Sequence, residues 1–178
     1  MLRDIEKMLF SEEEIFHKVR KLGAVISRDY EDKEPVFIGV LKGSFVFMAD
    51  LMRAIDIFCQ IEFMAVSSYG NKSETTGAVQ ITQDLNMDIE GRHILIVEDI
   101  LDSGLTLSYL IKYIKGRNPA SVKICTLLDK PDRRRSEVKA DYTGFQIPDH
   151  FVVGYGLDYA EKYRNLPYIG ILKPEVYM

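Results

Sequence analysis

The sequence has few cysteines and no long apolar run. No apolar stretch approaches the roughly 20 residues that a membrane-spanning helix needs. The charged opening segment MLRDIEKMLF also lacks the apolar centre of a signal peptide. The two cysteines, Cys59 and Cys125, lie in apolar stretches, which predicts buried thiols in a reducing compartment and neither a disulfide framework nor a metal site. We therefore expect a cytoplasmic protein with no membrane partner.

Basic residues are also outnumbered. The chain has 23 Lys and Arg against 27 Asp and Glu, a net charge of −4, which argues against a general nucleic-acid-binding surface. It has no internal repeat, low-complexity tract or linker. A length of 178 residues with 47% hydrophobic residues is typical of one globular domain with a substantial core. We therefore expect a single domain over residues 1–178.

Short apolar runs of strand length alternate with amphipathic helical patterns. The first helix begins with a capping box formed by Ser11 and Glu14, and it is predicted to end before Asp29. The alternation of strands and helices predicts an α/β fold with a parallel sheet. Strands are predicted over residues 35–41, 59–67, 78–82, 94–97, 121–128, 151–155 and 169–172. The second and third of these are expected to form a hairpin.

The most informative stretch is ILIVEDILDSGLTL, residues 94–107. A buried strand is followed by acidic residues, a small polar loop and a helix. Free backbone N–H groups and the positive end of the helix dipole suit a phosphate at this loop. Carboxylates beside a phosphate make chemical sense if they hold Mg²⁺ or the hydroxyls of a sugar that carries the phosphate. The residues concerned are Glu98, Asp99, Asp102, Ser103, Gly104 and Thr106.

Other interpretations of this loop stay open on the residues alone. The loop matches neither the GxxxxGK[ST] pattern of P-loop proteins nor the GxGxxG dinucleotide fingerprint. An ordinary strand–turn–helix unit with a solvated acidic turn would share its short pattern. A similar ambiguity holds for Lys42 and Gly43, which follow an earlier strand. They could receive phosphate at the carboxyl end of the sheet, but by themselves they are better explained as a helix-start loop with a solvated lysine.

A family resemblance narrows these choices. VEDILDSGLTL, residues 97–107, resembles the 5-phosphoribosyl-1-pyrophosphate (PRPP) motif of the type I phosphoribosyltransferases, in the form typical of the hypoxanthine-guanine branch. LKGS, residues 41–44, resembles the family's diphosphate-binding loop. The segment IPDHFVVGYGLDYAEKYRNLPYIG, from Ile147, resembles its purine-binding region. The resemblance covers nearly all of the chain after residue 35.

The resemblance implies a Rossmann-like type I phosphoribosyltransferase fold, with a central parallel sheet flanked by helices and a small hood subdomain. The core would span about residues 35–145, with the hood formed by the N-terminal segment and about 146–178. The implied reaction is purine salvage, in which a 6-oxopurine takes the phosphoribosyl group of PRPP at N9 with Mg²⁺ as cofactor. A homodimer or homotetramer is the usual assembly. The family often has a cis peptide at the position of Leu41–Lys42, which sequence physics alone does not predict.

The resemblance also implies residue roles. Asp102 is the expected general base, and Glu98 and Asp99 are expected to hold the ribose hydroxyls, Mg²⁺ or its waters. The 5′-phosphate is assigned to Ser103, Gly104, Leu105 and Thr106, although some relatives carry lysine where Leu105 stands. Pyrophosphate is assigned to Lys42, Gly43 and Arg164. The purine is assigned to Lys130, Phe151, Val152 and Asp158, and Asp158 is also a candidate metal ligand. Ser68 and Tyr69 match a loop that closes over the site.

Several expectations concern the rest of the chain and the alternatives. His93 is expected to be structural, and residues 132–139 are expected to be mostly a solvated charged loop. One alternative function is a regulatory nucleic-acid-binding protein on the same fold that senses PRPP or a nucleotide, although the acidic composition argues against it. Another is an enzyme that prefers xanthine. Lys130 argues against adenine, because an amino group cannot accept a hydrogen bond from an ammonium group as a carbonyl can.

Overall fold

A computed structural model of the chain, which describes residues 1–68 and 79–178, shows an α/β fold built on two sheets. The larger sheet has the strand order β4-β3-β2-β5-β6-β7, and all neighbouring pairs are parallel except β3 and β4. The predicted parallel sheet and the predicted hairpin are therefore confirmed. The strands of this sheet are β2 (Val36–Leu41), β3 (Gln60–Ser68), β4 (Val79–Gln83), β5 (His93–Leu101), β6 (Ser121–Asp129) and β7 (Tyr142–Gln146).

Three helices cover the larger sheet, and a short one ends the chain. They are α1 (Glu12–Asp29), α2 (Phe45–Ala54), α3 (Leu105–Lys115) and α4 (Pro174–Tyr177). The capping box that starts α1 is confirmed: the Ser11 hydroxyl accepts the Glu14 N–H at 3.3 Å, and the Glu14 carboxylate accepts the Ser11 N–H at 2.8 Å. This reciprocal pair satisfies two of the N–H groups that a helix start leaves without intrahelical partners.

The central strand β5 divides the core between the two faces of the sheet. Its residues 94–97 are fully buried, and successive side chains of a strand point to opposite faces. Leu95 and Val97 pack with residues of α1 and α2, whereas Ile94 and Ile96 pack with residues of α3. A continuous apolar run is therefore what this strand needs, because helices cover both of its faces.

The smaller sheet has the order β1-β9-β8 and joins the two ends of the chain. Its strands are β1 (Ile5–Phe10), β8 (Val152–Val153) and β9 (Ile169–Leu172), all antiparallel. The prediction of a strand over 151–155 was too long. The backbone turns into positive φ at Gly154 (98°) and Tyr155 (51°), which ends regular pairing after two residues.

The N-terminal segment contributes to both parts of the molecule. β1 lies in the smaller sheet, whereas α1 packs against α2 and β7. The boundaries given above for a core and a hood stay a prediction.

Both cysteines are free, and Cys125 is fully buried, which raises the pKa of its thiol. Within the ranges 1–68 and 79–178, no helix is long and apolar enough to cross a membrane.

The close contact between α1 and α2 gives a test of the packing. A methyl group added at Gly23 would overlap the backbone of Ala54 at the end of α2. In an exposed helix, Gly→Ala stabilises by up to about 1 kcal/mol. Here we expect Gly23→Ala to destabilise the protein by about 1–2 kcal/mol, because overpacking costs about 1–3 kcal/mol. Urea unfolding measures this, with the exposed Lys21→Ala on the same helix as control. A stabilised Gly23→Ala protein would contradict the close packing.

Candidate active site

A cavity of about 580 Å³ opens at the carboxyl ends of the parallel strands. Ligands of parallel α/β sheets bind at this edge. Four cationic and four carboxylate side chains line the cavity: Lys42, Lys130, Arg133, Arg164, Asp99, Asp102, Asp149 and Asp158. Gly43, Phe151 and Val152 are also in its wall. Nine residues predicted for the site therefore meet in one cavity, although they come from four separate parts of the chain.

A larger cavity, of about 870 Å³, lies elsewhere. It is formed by residues 30–34, residues 55–58 and Arg92, which precede β2, β3 and β5. It therefore opens at the amino ends of the strands, which is the edge of the sheet opposite to the acidic and small polar residues that follow β5. Charge and position, and not size, identify the candidate site.

Apart from Ser68 and Tyr69 of the predicted closing loop, five predicted residues do not line the 580 Å³ cavity. They are Glu98, Ser103, Gly104, Leu105 and Thr106. The last four follow Asp102 directly: Ser103 and Gly104 form a short loop beside the cavity, and Leu105 and Thr106 begin α3. Gly104 caps α3 with φ of 77°, a left-handed conformation that glycine adopts without steric cost. The first N–H groups of this 11-residue helix are the donors predicted to receive a phosphate.

Glu98 and Asp99 lie within β5 and not in a turn after it, because the strand continues to Leu101. The regular alternation of the strand does not continue past the acids, because Ile100 packs on the side of α1 and α2 and Leu101 on the side of α3, the reverse of the order at residues 94–97. Asp99 lies on the face of α2, where its carboxylate contacts the backbone at Gly43. Repulsion from Asp99 contributes to raising the pKa of Glu98, so the two carboxylates lie near each other. The prediction that the strand ends at Val97, before both acids, was therefore wrong.

The loop after β2 approaches Asp99 so closely that only glycine fits at position 43. A Cβ atom there would overlap the Asp99 carboxylate, and a Cβ atom at Gly156 would overlap the Gly43 carbonyl. The Gly43 backbone is thus held between the central strand and the C-terminal region. The peptide bond between Leu41 and Lys42 is cis, as the family resemblance suggested.

The burial of two acids leaves negative charge without full compensation. Burial is the main cause that raises the pKa of Asp99 to about 6, with Asp158 adding repulsion and Arg164 opposing it. Burial, followed by repulsion from Asp99, raises the pKa of Glu98 well above its ordinary value. The Glu98 Oε2 atom is buried and has no hydrogen-bond partner within residues 1–68 and 79–178. A cation beside these carboxylates would stabilise their charged forms.

Arg133 bridges two carboxylates at the cavity wall. Its Nε lies 2.9 Å from Asp102 Oδ1, and its Nη1 donates to both carboxylate oxygens of Asp149 at 3.2 Å. Lys130 is 6% exposed, and its Nζ donates to the His150 carbonyl at 2.6 Å and lies 3.6 Å from Asp149. The predicted general base and the predicted purine-binding lysine are therefore linked through Arg133 and Asp149.

Arg134 supports the phosphate loop from behind. Its guanidinium group pairs with the partly buried Asp129 and donates to the backbone carbonyls of Asp102, Val138 and Leu101. The Arg135 N–H donates to the Ser103 carbonyl at 2.9 Å. The prediction of a mostly solvated loop over 132–139 agrees with the exposure of most of these residues, and Arg134 is the clear exception, with a side chain that is 16% exposed. Three successive arginines gave no sign of which would be buried, since the contacts come from distant segments.

The predicted purine-binding aromatic residue is already part of an aromatic cluster. The Phe151 ring stacks on Tyr177, with centroids 4.6 Å apart, and meets the edge of Tyr159 at 5.5 Å. Tyr177 lies in α4 and also lines the cavity. It was not identified from the sequence, where it is an isolated aromatic residue near the end of the chain. Val152 is buried in β8 and pairs with Ile171 of β9, and its backbone role toward the purine stays a prediction.

The remaining predicted residues are placed as follows. Arg164 pairs with Asp158 at 2.9 Å, and Lys42 pairs with Glu161 at 3.2 Å. His93 is structural, since its Nδ1 lies 2.8 Å from the Ser121 hydroxyl at the start of β6. Ser68 ends β3, and Tyr69 lies outside the described residues, so the closing loop stays a prediction.

Comparison with known proteins identifies the family to which the chain is similar. Residues 6–160 match the family described as phosphoribosyl transferase domain. The chain is 59% identical to the hypoxanthine-guanine phosphoribosyltransferase of Bacillus subtilis (strain 168), over 99% of this chain and 98% of that protein. It is 55% identical to the protein of the same name from Streptococcus pneumoniae (strain ATCC BAA-255 / R6), over 98% and 97% of the two chains.

A solved structure is similar over the full chain. The crystal structure of a hypoxanthine phosphoribosyltransferase from Staphylococcus aureus superposes with a TM-score of 0.96 and 51% sequence identity. The alignment covers 100% of this chain and 97% of that chain. The predicted fold class is therefore confirmed.

The raised pKa of Asp99 predicts that this acid opposes folding. The folded protein keeps the proton up to about pH 6, whereas the unfolded chain releases it near the ordinary value of 3.8. Stability is therefore lost as pH rises through this interval. We expect Asp99→Asn to raise the free energy of unfolding by about 1–3 kcal/mol at pH 8 and by much less at pH 4.5. Urea unfolding at both pH values, with exposed Asp132→Asn as control, measures the difference. A gain independent of pH would contradict the assignment.

The buried ion pair of Arg134 predicts a second, opposite effect. Arg134→Met leaves Asp129 buried without its partner, which costs about 3–5 kcal/mol in a buried pair. Arg135→Met is the matched control, because only its backbone makes the contact described above, and we expect a change within about 0.5 kcal/mol. Urea unfolding distinguishes the two. Equal effects of both substitutions would show that Arg134 does not support the loop.

Proposed function

The chain belongs to the phosphoribosyltransferase family, and we propose that it transfers the 5-phosphoribosyl group of PRPP to N9 of hypoxanthine or guanine. The products are IMP or GMP and pyrophosphate. The observation that carries the proposal is the single cavity at the carboxyl ends of the strands, where the predicted base, purine-binding and pyrophosphate-binding residues meet. The names of the similar proteins agree with this reaction. Neither the regulatory alternative nor a preference for xanthine gains support from those similarities.

The 5′-phosphate is assigned to the loop between β5 and α3. Ser103, Gly104, Leu105 and Thr106 stand at the positive end of the helix dipole, where N–H groups and hydroxyls can donate to phosphate oxygens. Leu105 contributes only its backbone. Arg134 and the Arg135 N–H hold the loop by its carbonyls, which keeps its donors directed outward.

Asp102 is assigned as the general base. It takes a proton from the purine, at N7 by family analogy, as N9 forms its bond to the ribose carbon. Its ion pair with Arg133 has side chains that are 39% and 46% exposed, so the arginine can move when a purine approaches. Lys130 stabilises the negative charge that develops on the purine oxygen. Its Nζ uses one donor on the His150 carbonyl, and an ammonium group has three.

Phe151 and Val152 are assigned to the flat face and the edge of the purine. Phe151 is 37% exposed and is fixed by its stacking on Tyr177, so one face of its ring meets a partner already. The backbone of Val152 lies in the cavity wall, where donors and acceptors can select a base edge. Asp158 is assigned to the exocyclic group of the base or to a metal ion.

The carboxylates fit Mg²⁺. Asp99 and Glu98 carry raised pKa values, and Glu98 Oε2 is buried without a partner among the described residues. In phosphate-transfer sites Mg²⁺ is commonly held by carboxylates, directly or through water, together with oxygens of the substrate phosphates. Glu98, Asp99 and Asp158 are the proposed ligands, directly or through water. When bound, Mg²⁺ would neutralise charge on the leaving pyrophosphate.

Pyrophosphate is assigned to Lys42, the Gly43 backbone and Arg164. The two cations come from the β2–α2 loop and from the C-terminal region, and both line the cavity. A homodimer or homotetramer, a closing loop at Ser68 and Tyr69, and a cytoplasmic location also belong to the proposal through the family resemblance.

Turnover with each of four bases tests the proposal. We expect initial rates, followed by ultraviolet absorbance with PRPP and Mg²⁺, to be high for hypoxanthine or guanine and low for xanthine and adenine. Asp102→Asn should lower kcat by roughly 10²- to 10⁴-fold, the usual contribution of general base catalysis. PRPP binding by calorimetry should be retained, which controls for misfolding.

Two outcomes would contradict parts of the proposal. Unchanged turnover in Asp102→Asn would leave the proposed reaction standing and would show that Asp102 is not the general base. Absence of turnover with every base, while PRPP still binds, would favour the regulatory alternative.

A further inference from the structure

One carboxylate bridges the two cations assigned to pyrophosphate. Glu161 Oε2 lies 3.2 Å from Lys42 Nζ, and Glu161 Oε1 lies 3.5 Å from Arg164 Nη2. Lys42 and Glu161 are separated by 119 positions in the sequence, so this contact joins the β2–α2 loop to the C-terminal region. The hydrogen bond and charge of Lys42 are the main causes that hold the pKa of Glu161 below its ordinary value. Glu161 therefore carries its charge at neutral pH.

The position of Glu161 is set by its backbone. Its N–H donates to Asp158 Oδ2 at 2.9 Å, and its φ of 61° lies in the left-handed region that non-glycine residues rarely adopt. Ala160 before it has a φ of 50°. Such a conformation persists only where surrounding contacts maintain it. The tight turn after Asp158 therefore presents the Glu161 carboxylate toward Lys42 and Arg164.

Arg164 is held in place independently of Glu161. Its Nη1 donates to the Gly156 carbonyl at 2.7 Å, and its Nη2 lies 2.9 Å from Asp158 Oδ1. Its side chain is 19% exposed, whereas those of Lys42 and Glu161 are 67% and 65% exposed. The guanidinium group is thus held by buried contacts, whereas the Glu161 carboxylate is an exposed anion that reaches it from the solvent side.

We propose that Glu161 is an internal competitor of pyrophosphate, whose carboxylate stands in for phosphate when the site is empty. In the empty site, the Glu161 carboxylate lies between Lys42 and Arg164, where phosphate oxygens would bind. It forms its ion pairs with both cations again when pyrophosphate leaves. The inference rests on the proposed function, since it uses the assignment of Lys42 and Arg164 to pyrophosphate. No bond is formed or broken in this exchange, only ion pairs.

Competition between Glu161 and pyrophosphate has a defined consequence. A phosphate oxygen that binds Lys42 must displace an internal anion, so the measured affinity for pyrophosphate is reduced by the strength of the displaced pairs. Each exposed ion pair changes an equilibrium by at most about fivefold. Removal of the Glu161 charge should therefore tighten pyrophosphate binding roughly three- to tenfold and slow its release.

Calorimetric titration of the full-length protein with pyrophosphate in Mg²⁺ buffer tests this. We expect Glu161→Gln to lower the Kd for pyrophosphate roughly three- to tenfold relative to the unmodified protein. Asp132→Asn is the matched control, because it removes one exposed carboxylate near the same edge that pairs with neither Lys42 nor Arg164 in the described structure. Glu161→Asp keeps the charge on a shorter side chain that cannot span both cations, so we expect an intermediate Kd.

The outcomes separate this inference from the proposed function. Failure of the unmodified protein to bind pyrophosphate, or unchanged binding in Lys42→Met, would remove the pyrophosphate site and the inference together. Weaker binding in Lys42→Met with an unchanged Kd in Glu161→Gln would leave the proposed function and overturn only the role of Glu161. If Asp132→Asn lowered the Kd for pyrophosphate to the same extent, the effect of Glu161→Gln would come from the loss of one negative charge anywhere on the protein, and the inference would be overturned. Weaker pyrophosphate binding in Glu161→Gln would also overturn it, because it would show that Glu161 orders the cations and does not compete with pyrophosphate.

Discussion

Negative charge at the carboxyl end of β5 is the constraint on which the rest of the site depends. Glu98 and Asp99 are carried into the sheet by a strand whose preceding residues are fully buried, and burial raises the pKa of both. The proposed substrate adds more negative charge through its phosphate groups. Anions that share a site repel one another unless cations or fixed dipoles intervene. The cations, the start of α3 and a place for Mg²⁺ are explained by this requirement.

The cations that balance this negative charge already form ion pairs within the protein. Arg133 pairs with Asp102 and Asp149, and Arg164 pairs with Asp158. Charged groups near a cavity wall are thereby compensated without a ligand, so that folding does not require one. Binding then exchanges one set of ion pairs for another, and its free energy is the difference between the two sets. Affinity in such a site depends on internal competitors as much as on direct contacts.

The sequence was sufficient for those features that depend on neighbouring residues. The strand, loop and helix around Asp102, the capping box at Ser11 and the parallel sheet follow from local periodicity and turn chemistry. Features that depend on distant segments could not be found in this way. The buried pairing of Arg134 needs Asp129 and the carbonyls of a separate loop, and the bridging position of Glu161 needs Lys42 from 119 positions away. The continuation of β5 through Glu98 and Asp99 was also missed, because polar residues end the apolar run from which the strand was predicted.

Incomplete hydrogen bonding is concentrated where the function is proposed. Buried side-chain polar atoms are normally satisfied, and the exceptions call for a physical explanation. Four such atoms without a hydrogen-bond partner occur among the described residues, and three belong to Glu98, Asp102 and Arg164. Asp102 Oδ1 has the Arg133 ion pair at 2.9 Å, whereas Glu98 Oε2 and Arg164 Nε have no comparable contact. A site built to bind polyanions and a cation must keep some polar atoms for them. Leaving these atoms without partners lowers the stability of the folded protein, and it keeps them available to bind the substrate and the cation.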